Sequence, residues 1–413
     1  MWVSQLALRD YRSYTSLDLS LEPGITTFVA PNGWGKTNLV EAIGYLSQLR
    51  SHRVSQDLPL VRTSASEAVV SAKAHRGSRH VTVEVTIRAK GANRARINRS
   101  PVRTRELLGL LPCVVFAPED LSLVKGDPAD RRDYLDTLLV ARSPRMAGVI
   151  ADLDRALRQR NALLKSLRAE PNPGLESTLE IWDVAFAQAA AQLVTGRLRL
   201  LRDLREPLVE SFAYIAADAR AARRDVGAEY SSRIDYSAVD VEAPTAVAET
   251  ESLVVEALRS RRRPEIDRGL TLVGPQRDDV LLSIGATPAK GYASHGESWS
   301  LALALQLAGW ELLRAGSLDP ADQPVLVLDD VFAELDSGRR RRLAQKVEEA
   351  EQVLITAAVA GDIPPELSGA VVDLEALTGA GEVPGTTEPP VAPAEGPDVG
   401  EPGGASADGR VEE

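Results

Sequence analysis

From Val81 to Ile87 apolar and polar residues alternate, which puts Val81, Val83, Val85 and Ile87 on one face of a strand. The runs "WVSQLALRDY", "SLDLSLEPG" and "ITTFVA" fill residues 2–30 and read as strands separated by turns. "AVVSAKAHR" and "LPCVVFAP" predict two more. After Leu121 the period changes. Asp127 is placed as an N-cap, Pro128 at the first helical position and Asp130 at the third, near the positive end of the helix. Helical periodicity then runs to about Arg263, most clearly in "RALRQRNALLKSLRAE" and "LEIWDVAFAQAAAQLVTGRLRLLRDLREPLVESFAYIAADARAA". Strand patterns return at "GLTLVG", "DVLLSIG" and "PVLVLDDVFAEL". The pattern predicts an α/β unit in two parts, 1–121 and 265–378, interrupted by a mostly helical lobe at 122–264. Residues 379–413 are rich in Pro, Gly, Glu and Ala without apolar periodicity, and are expected to form a disordered acidic tail.

Composition narrows the classes. The 413 residues carry a net charge of −11, and the stretch from Gly379 to Glu413, with eight acids and one base, accounts for −7 of it. The remaining body is mildly acidic, which leaves room for a local basic face. Cys113 is the only cysteine, so neither an intrachain disulfide nor a cysteine-based zinc site is possible. No run approaches the length of a membrane span, and no basic stretch precedes an apolar one near Met1; a cytoplasmic protein without a membrane partner is expected.

The chemistry begins at "VAPNGWGKTNLVEAIGYL". A buried-type strand leads into a turn whose glycines, Gly33 and Gly35, let backbone N–H groups surround a phosphate. Lys36 places a charge at the β/γ-phosphates and Thr37 offers a hydroxyl to Mg²⁺. A helix follows, and its N-terminus favours an anion. Ala30 stands where the pattern G-x-x-x-x-G-K-[ST] has its first glycine, a position that asks for small size. The nucleotide-binding set is therefore Ala30, Pro31, Asn32, Gly33, Trp34, Gly35, Lys36, Thr37 and Asn38. In "PVLVLDDVFAELD", aliphatic residues 325–328 suit a buried parallel strand whose carboxyl end presents Asp329 and Asp330. Asp329 would hold Mg²⁺ with Thr37. Asp330, with Lys36, is the expected catalytic residue and would orient or deprotonate the attacking water. In "YASHGESWSLALALQLAGWELL", Ser294, Gly296 and Glu297 open a long apolar helix. In ATP-binding-cassette ATPases a serine and glycine at such a helix start bind the γ-phosphate of ATP held by the opposite subunit.

These stretches, with "LRDYRSY", "LRSHR", "FAPEDLSLVKGDPADRRDYLD", "RQRNALL" and "RGLTLVGPQRDDV", resemble the RecF family of bacterial recombination mediators, relatives of the SMC-type ATPases. The resemblance runs from Leu8 to about Thr356. It implies an ABC/SMC-type P-loop ATPase head with an inserted mostly helical second lobe. It also implies an ATP-dependent homodimer that binds gapped or duplex DNA without sequence specificity. The implied partners are RecR and RecO and, indirectly, RecA; the cofactors are ATP and Mg²⁺; the activity is slow, DNA-linked hydrolysis to ADP and phosphate. It places Arg12 near the nucleotide and Asp336 at the subunit interface. The departures are Ala30, Glu297 in place of glutamine, Asp330 in place of glutamate, Gln276 in place of histidine, and Glu119 as the candidate for a missing glutamine; they bear on hydrolysis more than on binding.

Candidate DNA-phosphate donors are Arg94, Arg96 and Arg99, then Arg261, Arg262 and Arg263, then Arg339, Arg340 and the two arginines that follow. For each cluster the competing reading is a solvated basic face paired with nearby acids. His52 and Arg53 match the family pattern without an assigned chemistry. Two rival functions stand: the nucleotide-binding subunit of a transporter, disfavoured by the roughly 260 residues between Gly35 and Gly296, and a clamp that binds ATP but barely turns over.

Overall fold

The computed structural model describes residues 1–218, 223, 225–316 and 323–378; the stretch expected as an acidic tail lies outside them. Strands β1 (Trp2–Tyr11), β2 (Tyr14–Ser20) and β3 (Gly24–Val29) lead to helix α1 (Lys36–Gln48). Strands β4 (Glu67–Arg76), β5 (Arg79–Arg88), β6 (Arg94–Ile97), β7 (Ser100–Val102) and β8 (Cys113–Phe116) follow. Helices α2 (Ser122–Lys125), α3 (Pro128–Arg142), α4 (Met146–Ala169) and α5 (Pro173–Ile215) come next, then β9 (Val226–Ser231) and α6 (Ala246–Arg268). The chain closes with β10 (Asp279–Ile284), β11 (Thr287–Pro288), α7 (His295–Ala315), β12 (Val325–Asp329), α8 (Ser337–Val347), β13 (Gln352–Ala357), β14 (Ala370–Asp373) and α9 (Leu374–Thr378).

Three sheets result. An antiparallel sheet has the order β2-β1-β4-β5-β6-β7 and a wholly parallel one the order β14-β3-β13-β12-β8. A small third sheet has the order β11-β10-β9. The parallel sheet is covered on both sides, as its continuous apolar strands require. Successive side chains of a strand point to opposite faces. Val325, Val327 and Leu354 join the core shared with α1 and the antiparallel sheet. Leu326, Leu328, Val353 and Ile355 join the core shared with α7 and α8. Thus α1 and α7 lie on opposite faces of one sheet. Helix α7 is wedged: Trp299, Leu303, Leu307 and Trp310 face the sheet, while Leu301, Leu305 and Leu312 pack with α3, α5, α6, β9 and β10.

Two local expectations change. "GLTLVG" is not a strand. Gly269, at φ 64°, ends α6 in the left-handed conformation. Side chains then take the hydrogen bonds that a neighbouring strand would have made: the Thr271 N–H donates to Asn161 Oδ1 (2.9 Å) and the Leu272 N–H to Glu265 Oε1 (2.8 Å). The helical block also contains a strand, β9, which pairs antiparallel with β10 from Val226↔Ile284 to Ser231↔Asp279. At α3 the capping expectation holds: the Asp127 N–H donates to the Asp130 carboxylate at 2.8 Å.

Candidate nucleotide site

Strand β3 delivers the chain to its carboxyl edge at Ala30, which is buried and does not have a positive φ. Alanine therefore fits where glycine was expected. Pro31, Asn32 and Gly33 are exposed, and Trp34 packs half-buried against the core. Gly33 and Gly35 adopt φ of 86° and 87°, a region costly for other residues. At Gly35 space also matters, because a methyl group there would lie 2.8 Å from Ser13 Oγ. The Tyr14 hydroxyl donates to the Gly35 carbonyl at 3.0 Å and pins the loop from the β1–β2 turn. Lys36, buried, folds into the loop and donates to the carbonyls of Ala30 (2.8 Å) and Pro31 (3.2 Å) and to Asn32 Oδ1 (3.3 Å). These acceptors encircle an ammonium at the mouth of a loop whose helix start has no side-chain cap.

The second half of the site comes from β12 and β13. The Thr37 hydroxyl donates to Asp329 Oδ1 at 3.0 Å, and the Thr356 hydroxyl donates to the same oxygen at 2.6 Å. The Asp330 N–H donates to Thr356 Oγ1 at 2.9 Å. Burial pushes the Asp329 carboxyl up to about 6, helped by neighbouring Asp330 and opposed by the two hydroxyls. Asp330 itself sits at φ 49°, in the left-handed region that a non-glycine residue rarely occupies. Lys36, Thr37, Asp329 and Asp330 thus meet at the carboxyl edge of the parallel sheet, where ligands of such sheets bind.

Thr356 escaped the sequence reading, because β13 is a short apolar run with no acid or glycine to mark its end. Glu41 was also missed, although a charge interrupting "LVEAI" was a signal. It is fully buried and takes Arg12 in a bidentate pair, Nε to Oε2 at 2.8 Å and Nη2 to Oε1 at 2.6 Å. Arg12 is thereby anchored beside α1. Arg53 donates to Asn38 Oδ1 (3.0 Å) and lies 3.9 Å from both Glu41 and Glu119. His52 lines a cavity of about 340 Å³ with Glu119 and Asp120. Its Nε2 is buried without a partner among the described residues, and burial holds its pKa below the usual value.

Ser294 caps α7: Ser294 Oγ accepts from the Glu297 N–H, and the Glu297 carboxylate accepts from the Ser294 N–H at 2.8 Å, a reciprocal capping box. Glu297 also receives Arg223, Nε to Oε1 at 2.7 Å and Nη2 to Oε2 at 3.0 Å, and that pair holds its carboxyl down to about 2. Arg339 lies against Gly296. Ser294, Gly296 and Glu297 belong to the helix on the other face of the sheet from α1, so they are not brought to the loop of their own chain.

The arginine candidates divide. Arg94, Arg99 and Arg261 are exposed and have no ion pair among the described residues. Arg96 pairs with Glu84 (3.0 Å) and Arg263 with Asp267 (3.4 Å). Arg262 is tied to Asp183 within the helical block. Arg339 pairs with Asp336, Arg340 donates to the Leu335 carbonyl, and Arg341 and Arg342 face Glu366 and Asp218.

The RecF/RecN/SMC N-terminal domain family matches residues 2–363. The chain is 53% identical to the DNA replication and repair protein RecF of Kineococcus radiotolerans, over 93% of its own length and all of that protein. It is 55% identical to the RecF of Frankia alni, over 89% and 96% of the two chains. A solved structure of the recombination mediator protein RecF-ATP in the RecFOR pathway aligns over 88% of this chain and 93% of that one, at 25% identity and a TM-score of 0.79. None of these relatives is a transporter subunit, and among the described residues no helix is long and apolar enough to cross a membrane. On the family model and on identity across nearly its whole length, the chain belongs to the RecF family.

Proposed function

We propose that the protein is an ATP-gated, DNA-binding recombination mediator of replication and repair, working in the cytoplasm with RecO- and RecR-type partners and so, indirectly, with RecA. The observation that carries this reading is the split site: Lys36, Thr37, Asp329 and Asp330 converge on one edge of the parallel sheet, while the Ser294 helix lies on the far face. One copy holds half of a triphosphate site and offers the other half to a twin. ATP bound by residues 30–38 of one copy would meet Ser294, Gly296 and Glu297 of the other. Its γ-phosphate then receives charge-assisted hydrogen bonds from both chains. ADP lacks the group that both chains grip, so the pair loosens after hydrolysis. We also read residues 1–121 and 265–378 as the head and 122–264 as the lobe carried by it. The lobe packs on α7 through a shared core and would move with that helix.

In hydrolysis a water attacks the γ-phosphorus, the bond to the bridging oxygen breaks, and ADP leaves with that oxygen. Asp330, strained at the strand exit, orients the water and takes its proton. Lys36 balances charge on the β/γ-phosphates. The Thr37 hydroxyl and the Asp329 carboxylate are hard oxygen donors side by side, a set that suits Mg²⁺, which takes few protein ligands and fills its shell from phosphate and water. When bound, Mg²⁺ would neutralise charge on the phosphates. The Thr356 hydroxyl fixes both aspartates in register.

Light scattering of the purified chain tests the gate. Dimers are expected with ATP and monomers with ADP or no nucleotide, and Lys36→Ala should stay monomeric throughout. An unchanged mass across the three conditions would remove the reading.

A further inference from the structure

The six-stranded antiparallel sheet turns one face to the core and leaves the other uncovered. Val3, Leu6, Leu8, Val70, Val85 and Ile87 fill the covered side. Residues paired directly across neighbouring strands share a face. The register therefore sets Trp2, His75 and His80 in one row of the open face, and Gln5, Lys73 and Thr82 in the next. A third row holds Ala7, Ser71, Glu84 and Arg96. None of these residues is buried.

An antiparallel sheet commonly shows one face to water; the unusual features here are the relief and the charge. Ala7, Ser71 and Thr82 are small and make a low floor. Three rings stand at one end of it. Trp2 stacks on His75 with centroids 4.4 Å apart and planes at 13°, and His80 follows at 5.8 Å. A β-bulge between Val3 and Gln5 brings the Ser4 hydroxyl to His75 Nε2 at 2.9 Å, which fixes the middle ring. Of the acids on the face, Asp18 and Glu84 are taken by Arg9 and Arg96. Lys73, Arg88 and Arg94 make no ion pair among the described residues, against one remaining acid, Glu67, opposite Arg88 in the register.

Rings and unspent cations on a shallow floor suit an anion that also exposes ring faces. A single strand of nucleic acid has both. A duplex has the charge but hides its base faces in the stack, and an acidic peptide brings the charge without a row of bases. We propose that this face binds single-stranded DNA, with bases stacked against the Trp2–His75–His80 row and phosphates running towards Lys73, Arg88 and Arg94. His80 and Thr86, the residue paired with Arg94, are six residues apart on β5, roughly 20 Å, which is room for several nucleotides. The assignment rests on the DNA-binding part of the proposed function and not on the paired nucleotide site. It gives the unpaired strand of a gap a face of its own.

Two probes test it on the full chain in the presence of ATP: a labelled oligothymidylate of about a dozen nucleotides and a blunt hairpin duplex. Trp2→Ala is expected to weaken oligomer binding by about 10-fold or more, the worth of a stacked base, and to leave duplex binding unchanged. Trp2→Phe, which keeps a ring, should retain most of the affinity while losing part of the tryptophan quenching that the oligomer causes. Lys73→Gln with Arg88→Gln should lower the slope of log oligomer affinity against log salt by about 1.4. Equal oligomer affinity in wild type and Trp2→Ala would overturn the inference. So would a loss of oligomer and duplex binding to the same degree, or polyglutamate binding as tight as oligothymidylate. In each of these cases wild-type binding to the duplex leaves the DNA-binding reading standing, whereas wild-type binding to neither probe would overturn that reading too. His80→Ala, at the exposed end of the row, is read in the same way where Trp2→Ala costs stability.

Discussion

A single hydroxyl holds the two acids of the nucleotide site in register. Thr356 donates to Asp329 and accepts from the Asp330 N–H, so Thr356→Val keeps the shape and removes both bonds. Leaving those buried groups short of a partner should cost about 1–3 kcal/mol. Urea unfolding should show that loss, and single-turnover hydrolysis should slow more than nucleotide binding weakens. Asp120 makes a different test. It is half-buried, it accepts from the Ala117 N–H (2.8 Å) and from Gln306 Nε2 (2.6 Å), and desolvation pushes its carboxyl from 3.8 up to about 7. A folded-state pKa above the unfolded one gives stability that is full below about 4 and lost as pH rises towards 7. Wild type should therefore lose thermal stability relative to Asp120→Asn across that window; parallel melting curves of the two from pH 4.5 to 8 would reject this. At this scale the sequence was informative where chemistry is local. Residues 30–38 and the aspartate pair are contiguous motifs, and the fold brings them to one edge of the parallel sheet. Thr356, Glu41 and Arg223 act through partners 27, 29 and 74 residues away, and nothing near them in the chain marks those contacts.

Among the helices, one buried arginine joins three elements. Arg160 of α4 donates to Asp183 of α5 at 2.7 Å, to Glu265 of α6 at 2.9 Å and to the Thr271 hydroxyl at 2.6 Å. Its side chain is fully buried, as is that of Glu265. Removing one member of such a set strands the others, at a cost of about 3–5 kcal/mol. Arg160→Ala should show that loss in denaturant unfolding, whereas Arg155→Ala, on an exposed turn of the same helix, should show almost none. Element type followed from periodicity wherever a face is long. The alternation in β5 and the apolar stripes of α4 and α5 are examples. It failed for β9, six residues inside a helical block, and for Gly269–Gly274, where side chains from α4 and α6 substitute for a neighbouring strand.

At the scale of the molecule, DNA contact is argued from cations without a partner. Arg94, Arg99 and Arg261 are the exposed candidates with no ion pair among the described residues, and Arg94 and Arg99 share the β6–β7 hairpin, whose turn residues Asn98 and Arg99 both have positive φ. Replacing both with Glu should weaken duplex binding and lower the slope of log affinity against log salt by about 2. Equal slopes for wild type and variant would place the DNA elsewhere. Sheet order and the layering of α1, sheet and α7 were not written in any local pattern, because strand β3, strand β8 and the pair β12 and β13 come from three distant parts of the chain.

The parallel sheet that keeps α1 and α7 apart has a kinetic corollary. If a second copy completes the site, as proposed, a molecule in isolation is inert however tightly it holds ATP. At concentrations below the dimer's dissociation constant, total turnover should grow with the square of protein concentration and become linear only above it. The cellular copy number would then act as a threshold.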